Sequence, residues 1–174
     1  DDQSVFVKRQ GLVAFDLQKF RGLDTMALSS QAARVIDEWE PDAVFIDVVG
    51  IGAGVVDRLR QLRYDIVEVN GGTRATDDRK YFNKRAEMWH GIKKWLEDGG
   101  QIPDDKDLRK HLCAPEYGYD PRERIQHERK DDLKDRLGES PDCGDALAMS
   151  FAEPVYAQDI SQFGNRKKNF ANYE

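Results

Sequence analysis

The sequence predicts an α/β fold built on a central β-sheet of mixed strand direction, and three observations support this class. Two segments rich in β-forming residues, 4–10 and 12–20, flank Gly11 and are typical of an antiparallel hairpin. Two later apolar runs, 43–49 and 64–70, are separated by a short helical segment, which is the order of a parallel β-α-β unit. Helical spacing of apolar residues recurs before and after this unit.

The first helix is predicted over 25–40, where apolar residues recur at helical spacing and a proline follows the last turn. The run AVFIDVV (43–49) predicts a strand that is covered on both faces. Gly50, Gly52 and Gly54 then predict a tight turn before a short helix formed by VVDRLRQLR. Their spacing differs from the G-x-G-x-x-G fingerprint, so it does not favour a dinucleotide-binding fold.

A strong amphipathic helix is predicted over 81–99, with Trp89 and Trp95 on its buried face. Segment 108–128 contains two prolines and a glycine between two more regular stretches, which favours a second hairpin. In SPDCGDALAMSF, Ser140 is expected to be the N-cap of a last helix.

One domain is predicted over 1–157, followed by a mobile tail over 158–174 that has little apolar content. The net charge of −6 argues against a protein that coats nucleic acid, although local basic patches can still bind DNA. No apolar run approaches the ~20 residues of a membrane span, so no membrane association is expected. Cys113 and Cys143 lack metal-site spacing and predict reduced thiols in a cytoplasm. His111 and His127 form no ligand motif and are expected at the surface of the second hairpin.

Asp47 interrupts the most apolar strand of the sequence near its C-terminal end, where ligands bind in open α/β sheets. A buried carboxylate needs a cation or hydrogen-bond donors. The donors could be the backbone N–H groups of the following glycine turn, so a purely structural role remains an alternative to metal binding.

Two more acids, Asp142 and Asp145, lie in the last predicted helix. An acid in the first turn complements the helix dipole by about 0.3–1 kcal/mol, which is enough to explain Asp142. Asp145 lies further in, and Gly144 beside it costs about 1 kcal/mol in a helix, which indicates a close approach by another element. Asp145 is therefore predicted to be a metal ligand held near Asp47. Carboxylates without histidine or cysteine favour Mg²⁺ or Mn²⁺, and two such ions ~3.5–4 Å apart can hydrolyse a phosphodiester.

Basic and polar residues near these acids predict contacts with DNA phosphates. One group begins the long helix and the other lies just before the last helix. The alternative is that they form solvated helix faces or surface ion pairs. The predicted DNA contacts are Asn83, Lys84, Arg85, Lys130, Lys134 and Arg136.

Three segments, AVFIDVVGIGAGVVDRL, YFNKRAEMW and KDDLKDRLGESPDCGDALAMSF, resemble the C-terminal nuclease domain of phage large terminase subunits. The resemblance implies a ribonuclease H-like fold, in which helices flank a mixed central sheet, with an extra β-hairpin. It also implies an endonuclease that uses Mg²⁺ or Mn²⁺ to cut concatemeric double-stranded viral DNA during genome packaging. Carried over by motif, Asp47 is the strand acid, Asp145 the helix acid, Asp142 an accessory ligand and Lys130 a catalytic basic residue.

The resemblance departs from the family at the N-terminus. The family carries its first catalytic aspartate on an earlier strand with the pattern G-x-D-x-A, and this sequence begins after that strand; Asp1 and Asp2 fall in the following loop. No G-x-x-x-x-G-K-[ST] phosphate loop is present either. The resemblance implies as partners DNA, the ATPase half of the same large subunit, the portal and the small terminase subunit, all in the host cytoplasm. The alternatives are a resolvase- or transposase-type nuclease and a non-catalytic docking module for packaging partners.

Overall fold

The computed structural model describes residues 3–156, within which the chain forms six helices and eight short strands. The predicted tail over 158–174 lies outside the described residues, as do Asp1 and Asp2. The α/β class with mixed strand directions is confirmed. The strands of the described part pair as four separate two-stranded ladders.

The predicted N-terminal hairpin is confirmed, although its pairing is interrupted in the middle. Strand β1 (Gln3–Phe6) pairs antiparallel with β4 (Gln18–Arg21), and β2 (Arg9–Gln10) pairs antiparallel with β3 (Val13–Ala14). Gly11 forms the turn with a φ of +55°, a conformation that glycine adopts without steric cost.

The predicted β-α-β unit is also confirmed. After α1 (Thr25–Trp39), strand β5 (Phe45–Asp47) runs parallel to β6 (Val67–Val69), and Asp47 pairs with Val69. Phe45 packs on one apolar cluster and Ile46 on the other, because alternate side chains of a strand point to opposite faces. The strand is therefore covered on both faces, as its apolar sequence predicts.

The predicted glycine turn after β5 was wrong, because helix α2 (Ile51–Gln61) already begins at Ile51. Only Gly50, with a φ of +70°, has a turn conformation. Gly52 belongs to the first turn of α2 and lies against the main chain of Asp47, where a Cβ atom would overlap the Asp47 carbonyl oxygen. Glycine is therefore needed here for close packing between a helix and a strand.

Helix α3 (Lys84–Glu97) begins three residues later than predicted, because Tyr81 pairs with Ile125 in an isolated bridge. The Asn83 side chain caps the helix by accepting a hydrogen bond from the backbone N–H of Ala86. Trp89 and Trp95 lie in the core, as predicted.

The hairpin predicted over 108–128 was only partly right. Its first part forms helix α4 (Lys106–Cys113), whose first turn is capped by Asp105. The hairpin itself is shorter and consists of β7 (Tyr117–Tyr119) and β8 (Ile125–His127). The connector that follows is helix α5 (Lys130–Leu137).

The last helix, α6 (Asp142–Met149), has Pro141 rather than Ser140 at its N-cap position, so the predicted cap was wrong. A histidine from another helix takes over the capping. His111 of α4 is only 3% exposed, and its Nδ1 accepts a hydrogen bond from the backbone N–H of Cys143 at 3.2 Å. The predicted surface position of His111 was therefore also wrong.

Replacing His111 with alanine is expected to lower the free energy of unfolding by about 1–3 kcal/mol, because the buried Cys143 N–H loses its acceptor. Urea denaturation at neutral pH measures the change. His111→Asn keeps an acceptor at a similar position and should recover part of the loss. Equal stability of His111→Ala and the unsubstituted protein would show that the cap contributes nothing.

An open groove separates the N-terminal hairpin from the parallel pair of strands. Within residues 3–156, β1 pairs only with β4 and β5 pairs only with β6, so β1 and β5 each have one edge without a strand partner. A groove of about 850 Å³ is lined by residues of both regions, including 5–10 and 43–46. The described chain therefore contains space between two strand edges, directly beside the strand that carries Asp47.

Candidate active site

The site is built around Asp47, the last residue of β5 and half-buried. One carboxylate oxygen, Oδ1, accepts a hydrogen bond from the backbone N–H of Val49 at 3.0 Å. The sequence left open a structural role for Asp47, as an acceptor for backbone N–H groups after the strand. The contact with Val49 is an interaction of that kind. The donor is Val49, not one of the glycines.

Asp145 lies in the first turn of α6, with its side chain 21% exposed. Its oxygen Oδ1 accepts a hydrogen bond from Nε1 of Trp89 at 3.1 Å and lies 3.7 Å from Nε of Arg85. Its oxygen Oδ2 lies 2.8 Å from Nζ of Lys130. Helices α3 and α5 therefore contribute three donor groups around one carboxylate.

Lys130 links the two acids electrostatically. Burial acts to lower the pKa of its ammonium, but the charge and hydrogen bond of Asp145, together with the charge of Asp47, raise the pKa above its usual value. The side chain is still 47% exposed, so solvent and solutes can reach it. In this structure an ammonium group is thus the cation that both carboxylates attract.

Asp142 does not take part in the contacts between Asp145 and its donors. The charge of Asp142 acts on the neighbouring Cys143, together with the charges of Lys19, Asp105 and Asp107. Among residues 3–156, no cluster of three or more histidine, cysteine, aspartate or glutamate side chains is arranged to hold a metal ion. The ligand role of Asp142 stays a prediction without geometric support.

The donor chemistry of Asp47 and Asp145 fits a hard divalent cation, because carboxylate oxygens are the ligands that Mg²⁺ and Mn²⁺ prefer. Lys130 supports this fit, since its ammonium group contacts Asp145 and its pKa is raised by the charges of both acids. Two carboxylates are fewer ligands than such an ion takes, so water or further residues would have to complete its coordination.

The close approach predicted at Gly144 is found, but the approaching element is a helix. A Cβ atom at Gly144 would lie 2.5 Å from Cη2 of Trp89, in helix α3. The glycine therefore makes room for the same tryptophan whose N–H contacts Asp145.

The predicted DNA contacts at the start of α3 are engaged inside the protein. Nζ of Lys84 lies 2.8 Å from a carboxylate oxygen of Glu87 and also donates to Thr76. The Arg85 side chain is 14% exposed and donates through Nη1 to the carbonyl oxygen of Glu128 at 3.1 Å. With Asn83 used as the N-cap of α3, these three side chains hold the local structure together.

The predicted contacts on α5 are more accessible. Lys134 is exposed, and Arg136 is partly exposed. Arg136 forms an ion pair with Glu128 at 2.5 Å. In this structure it therefore forms the surface ion pair that was the alternative to a DNA contact. Together with Lys130, these residues are the basic side chains of α5, the helix that contacts Asp145 through Lys130.

Sequence reasoning missed two residues of the site, Trp89 and His127. Trp89 was predicted only as a core residue, although a buried indole N–H usually needs a hydrogen-bond partner, and that need was an available signal. The ring of His127 lies 5.9 Å from that of Trp89 and the residue is half-buried, so the predicted surface position of His127 was only partly right. Burial, together with the nearby Arg85 cation, lowers the pKa of His127 to about 4.

This lowered pKa predicts a specific loss of stability in acid. Between the usual pKa of 6.5 and about 4, the unfolded chain takes up a proton at His127 and the folded protein does not. The contribution of His127 to stability is therefore complete above pH 6.5 and is lost as the pH falls toward 4. His127→Phe keeps an aromatic ring and should show a smaller loss between pH 7 and pH 4.5 in urea denaturation. An equal loss of unfolding free energy in the two proteins over this pH range would contradict the expectation.

Comparisons with known proteins identify the fold. The sequence matches no family model and no curated protein. The nuclease domain of the large terminase subunit gp2 of bacterial virus Sf6 matches at a TM-score of 0.70 and 17% identity, over 88% of each chain. A mutant of that domain with manganese and β-thujaplicinol matches at 0.74 and 17% identity, over 89% of this chain and 84% of the other.

The large terminase nuclease of thermophilic phage G20c, with bound magnesium, matches at a TM-score of 0.62 and 13% identity. The match covers 87% of this chain and 75% of that one. The chain therefore has the fold of large terminase nuclease domains, and the predicted ribonuclease H-like class is confirmed.

Proposed function

We propose that this protein is the nuclease domain of a phage large terminase subunit and cuts concatemeric double-stranded DNA during genome packaging. The observation that carries the proposal is the contact of Asp145 with Lys130 at 2.8 Å, at an ammonium group on which the charge of Asp47 also acts. The likeness to terminase nuclease domains with bound manganese or magnesium supports it.

In the proposed reaction, Asp47 and Asp145 hold Mg²⁺ or Mn²⁺ through their carboxylate oxygens. Two such ions, when bound, would activate a water molecule and stabilise the leaving oxygen of the phosphodiester. Lys130 would exchange its contact with Asp145 for one with a phosphate oxygen of the DNA, because the ammonium and a metal ion compete for the same carboxylates. Asp142 is at most an accessory to this set.

The groove beside β5 suggests how the ligand set is completed. We propose that a segment encoded upstream of Asp1 fills the groove as a strand between β1 and β5 and brings a further carboxylate to Asp47. The two unpaired edges and the groove volume of about 850 Å³ support an extended segment as the occupant. Backbone groups on those edges would otherwise lack the ladder partners that strands require.

DNA would be held on the side of α5, where Lys130, Lys134 and Arg136 are accessible. Contacts of this kind are made to phosphates, so they imply weak sequence preference and salt-sensitive binding. Asn83, Lys84 and Arg85 would contribute by supporting the helix start beneath the site, and Lys84 could reach DNA only by leaving Glu87.

The proposed partners are double-stranded DNA, the ATPase half of the same large subunit, the portal and the small terminase subunit, in the cytoplasm of the infected host. In residues 3–156, the structure has no helix of the length and apolar character that crossing a membrane requires.

The direct test is cleavage of supercoiled plasmid by the chain extended upstream by about 20 residues, enough for a strand and its turn. With Mn²⁺, nicked and linear products are expected, and EDTA should prevent them. The 174-residue chain should cut less, because its ligand set is smaller. Cleavage that persists in EDTA, or no cleavage and no Mn²⁺ binding, would reject the proposal, and the second result would favour a docking module.

A further inference from the structure

We infer that Trp89 is a positioning residue for Asp145: its indole N–H fixes the carboxylate so that Oδ2 is the oxygen left for a cation. This inference rests on the proposed function, since it assigns a role within the proposed metal site. Its starting point is the unequal surroundings of the two oxygens of Asp145.

Oδ1 faces donors that belong to one helix. Nε1 of Trp89 donates to it at 3.1 Å, and Nε of Arg85 lies 3.7 Å away. These two residues are four positions apart in α3 and therefore lie on the same face of the helix. Oδ2 instead contacts the partly exposed Lys130 of α5 at 2.8 Å. A buried, fixed donor holds one oxygen, and an exchangeable cation contacts the other.

The indole ring of Trp89 has little freedom to turn. On one side, Gly144 packs so closely that an added Cβ atom would lie 2.5 Å from the ring. Around the rest of the ring, the centroid of His127 lies 5.9 Å away and the guanidinium carbon of Arg85 lies 5.7 Å from the ring centroid. Trp89 is only 6% exposed. Since the ring is confined, the direction of its N–H is confined as well.

A simpler explanation is that Asp145 merely satisfies a buried N–H group. Trp95, in the same helix, also has a buried indole N–H, and its Nε1 donates to the backbone carbonyl of Gly11 at 2.9 Å. A backbone acceptor is sufficient for a buried tryptophan in this protein. The use of a carboxylate as the acceptor for Trp89 is therefore better explained by the orientation that the indole N–H gives to Asp145.

Trp95 also provides a matched control. Trp89 and Trp95 lie on the same helix, have similar exposures of 6% and 7%, and each donates one hydrogen bond. Replacing either with phenylalanine keeps an aromatic ring and removes the indole donor. Only Trp89→Phe should release Oδ1 of Asp145.

The test measures Mn²⁺ affinity by electron paramagnetic resonance of free Mn²⁺, on the upstream-extended chain. Loss of a group that orients a metal ligand typically weakens metal binding 10- to 100-fold, so Trp89→Phe should bind Mn²⁺ roughly tenfold or more weakly. Trp95→Phe should stay close to the unsubstituted protein. Equal affinities of Trp89→Phe and the unsubstituted protein would overturn this inference alone. Absence of Mn²⁺ binding by the unsubstituted protein would overturn the proposed metal site and this inference with it.

A second measurement needs no substitution at Trp89 and so does not depend on the folding of that variant. The 174-residue chain has three tryptophans, so its ¹⁵N–¹H spectrum contains three indole signals that can be assigned with Trp39→Phe and Trp95→Phe. Titration with Mg²⁺ should shift the Trp89 indole signal and leave those of Trp39 and Trp95 nearly unchanged. An unmoved Trp89 signal at a Mg²⁺ concentration that saturates the protein would contradict the inference.

Discussion

Asparagine in place of Asp47 or Asp145 is expected to slow Mn²⁺-dependent DNA cleavage by the upstream-extended chain on the order of a thousandfold, or about 4 kcal/mol of transition-state stabilisation. The physical reason is the loss of a negative ligand from a site that has only two carboxylates among the described residues. Asparagine has nearly the shape of aspartate, so the fold should be retained. The measurement is the rate of plasmid nicking at saturating protein, with thermal unfolding as a check on folding.

Two other substitutions make this result specific. Asp57 is exposed on α2, so Asp57→Asn should cleave like the unsubstituted protein. Asp142 lies three positions before Asp145 in the same helix, but it is Asp145 that Trp89 and Lys130 contact, so Asp142→Asn should lose far less activity than Asp145→Asn. A variant lacking Asp145 that cuts at the normal rate would remove this residue from the site, and an equal loss in Asp142→Asn would restore the accessory role that the sequence predicts.

Alanine in place of Gly52 is expected to destabilise the protein by about 3 kcal/mol or more, because its Cβ atom would overlap the backbone carbonyl of Asp47. A backbone atom cannot rotate away as a flexible side chain can. Helix α2 and strand β5 would have to separate, which would also move the Asp47 carboxylate. Urea denaturation measures the loss of stability, and the Mn²⁺ affinity should fall in any fraction that remains folded.

Gly118 serves as the control for this substitution. No heavy atom lies within 4 Å of a Cβ atom built at Gly118, and its φ is outside the positive range. Gly118→Ala should therefore change the free energy of unfolding little. If Gly52→Ala unfolds at the same urea concentration as the unsubstituted protein, the close contact between α2 and β5 does not restrict position 52 to glycine.

The sequence predicted much of the fold because its strongest patterns are local. The hairpin around Gly11, the first helix and the parallel strands could be identified from neighbouring residues alone. The errors lie where a distant contact decides a local structure. The start of α3 differs from the prediction because Tyr81 pairs with Ile125, and the cap of α6 differs because His111 accepts from the Cys143 N–H.

The candidate site shows the same division. Asp47 and Asp145 could be selected from the sequence because each places a charge in an apolar stretch, and such a conflict is visible without a structure. The contact between Asp145 and Lys130 could not be derived from the residues, because it depends on how α5 and α6 pack.

By itself, the sequence determined the α/β class, the order of the main strands and helices, and the two acids whose positions require an explanation. These features follow from periodicity and from the cost of placing a charge among apolar neighbours. Only the tertiary structure decided that His111 caps the last helix and that Trp89 donates to Asp145. These two contacts join residues 32 and 56 positions apart, and no local pattern specifies which distant donor a buried polar group will meet.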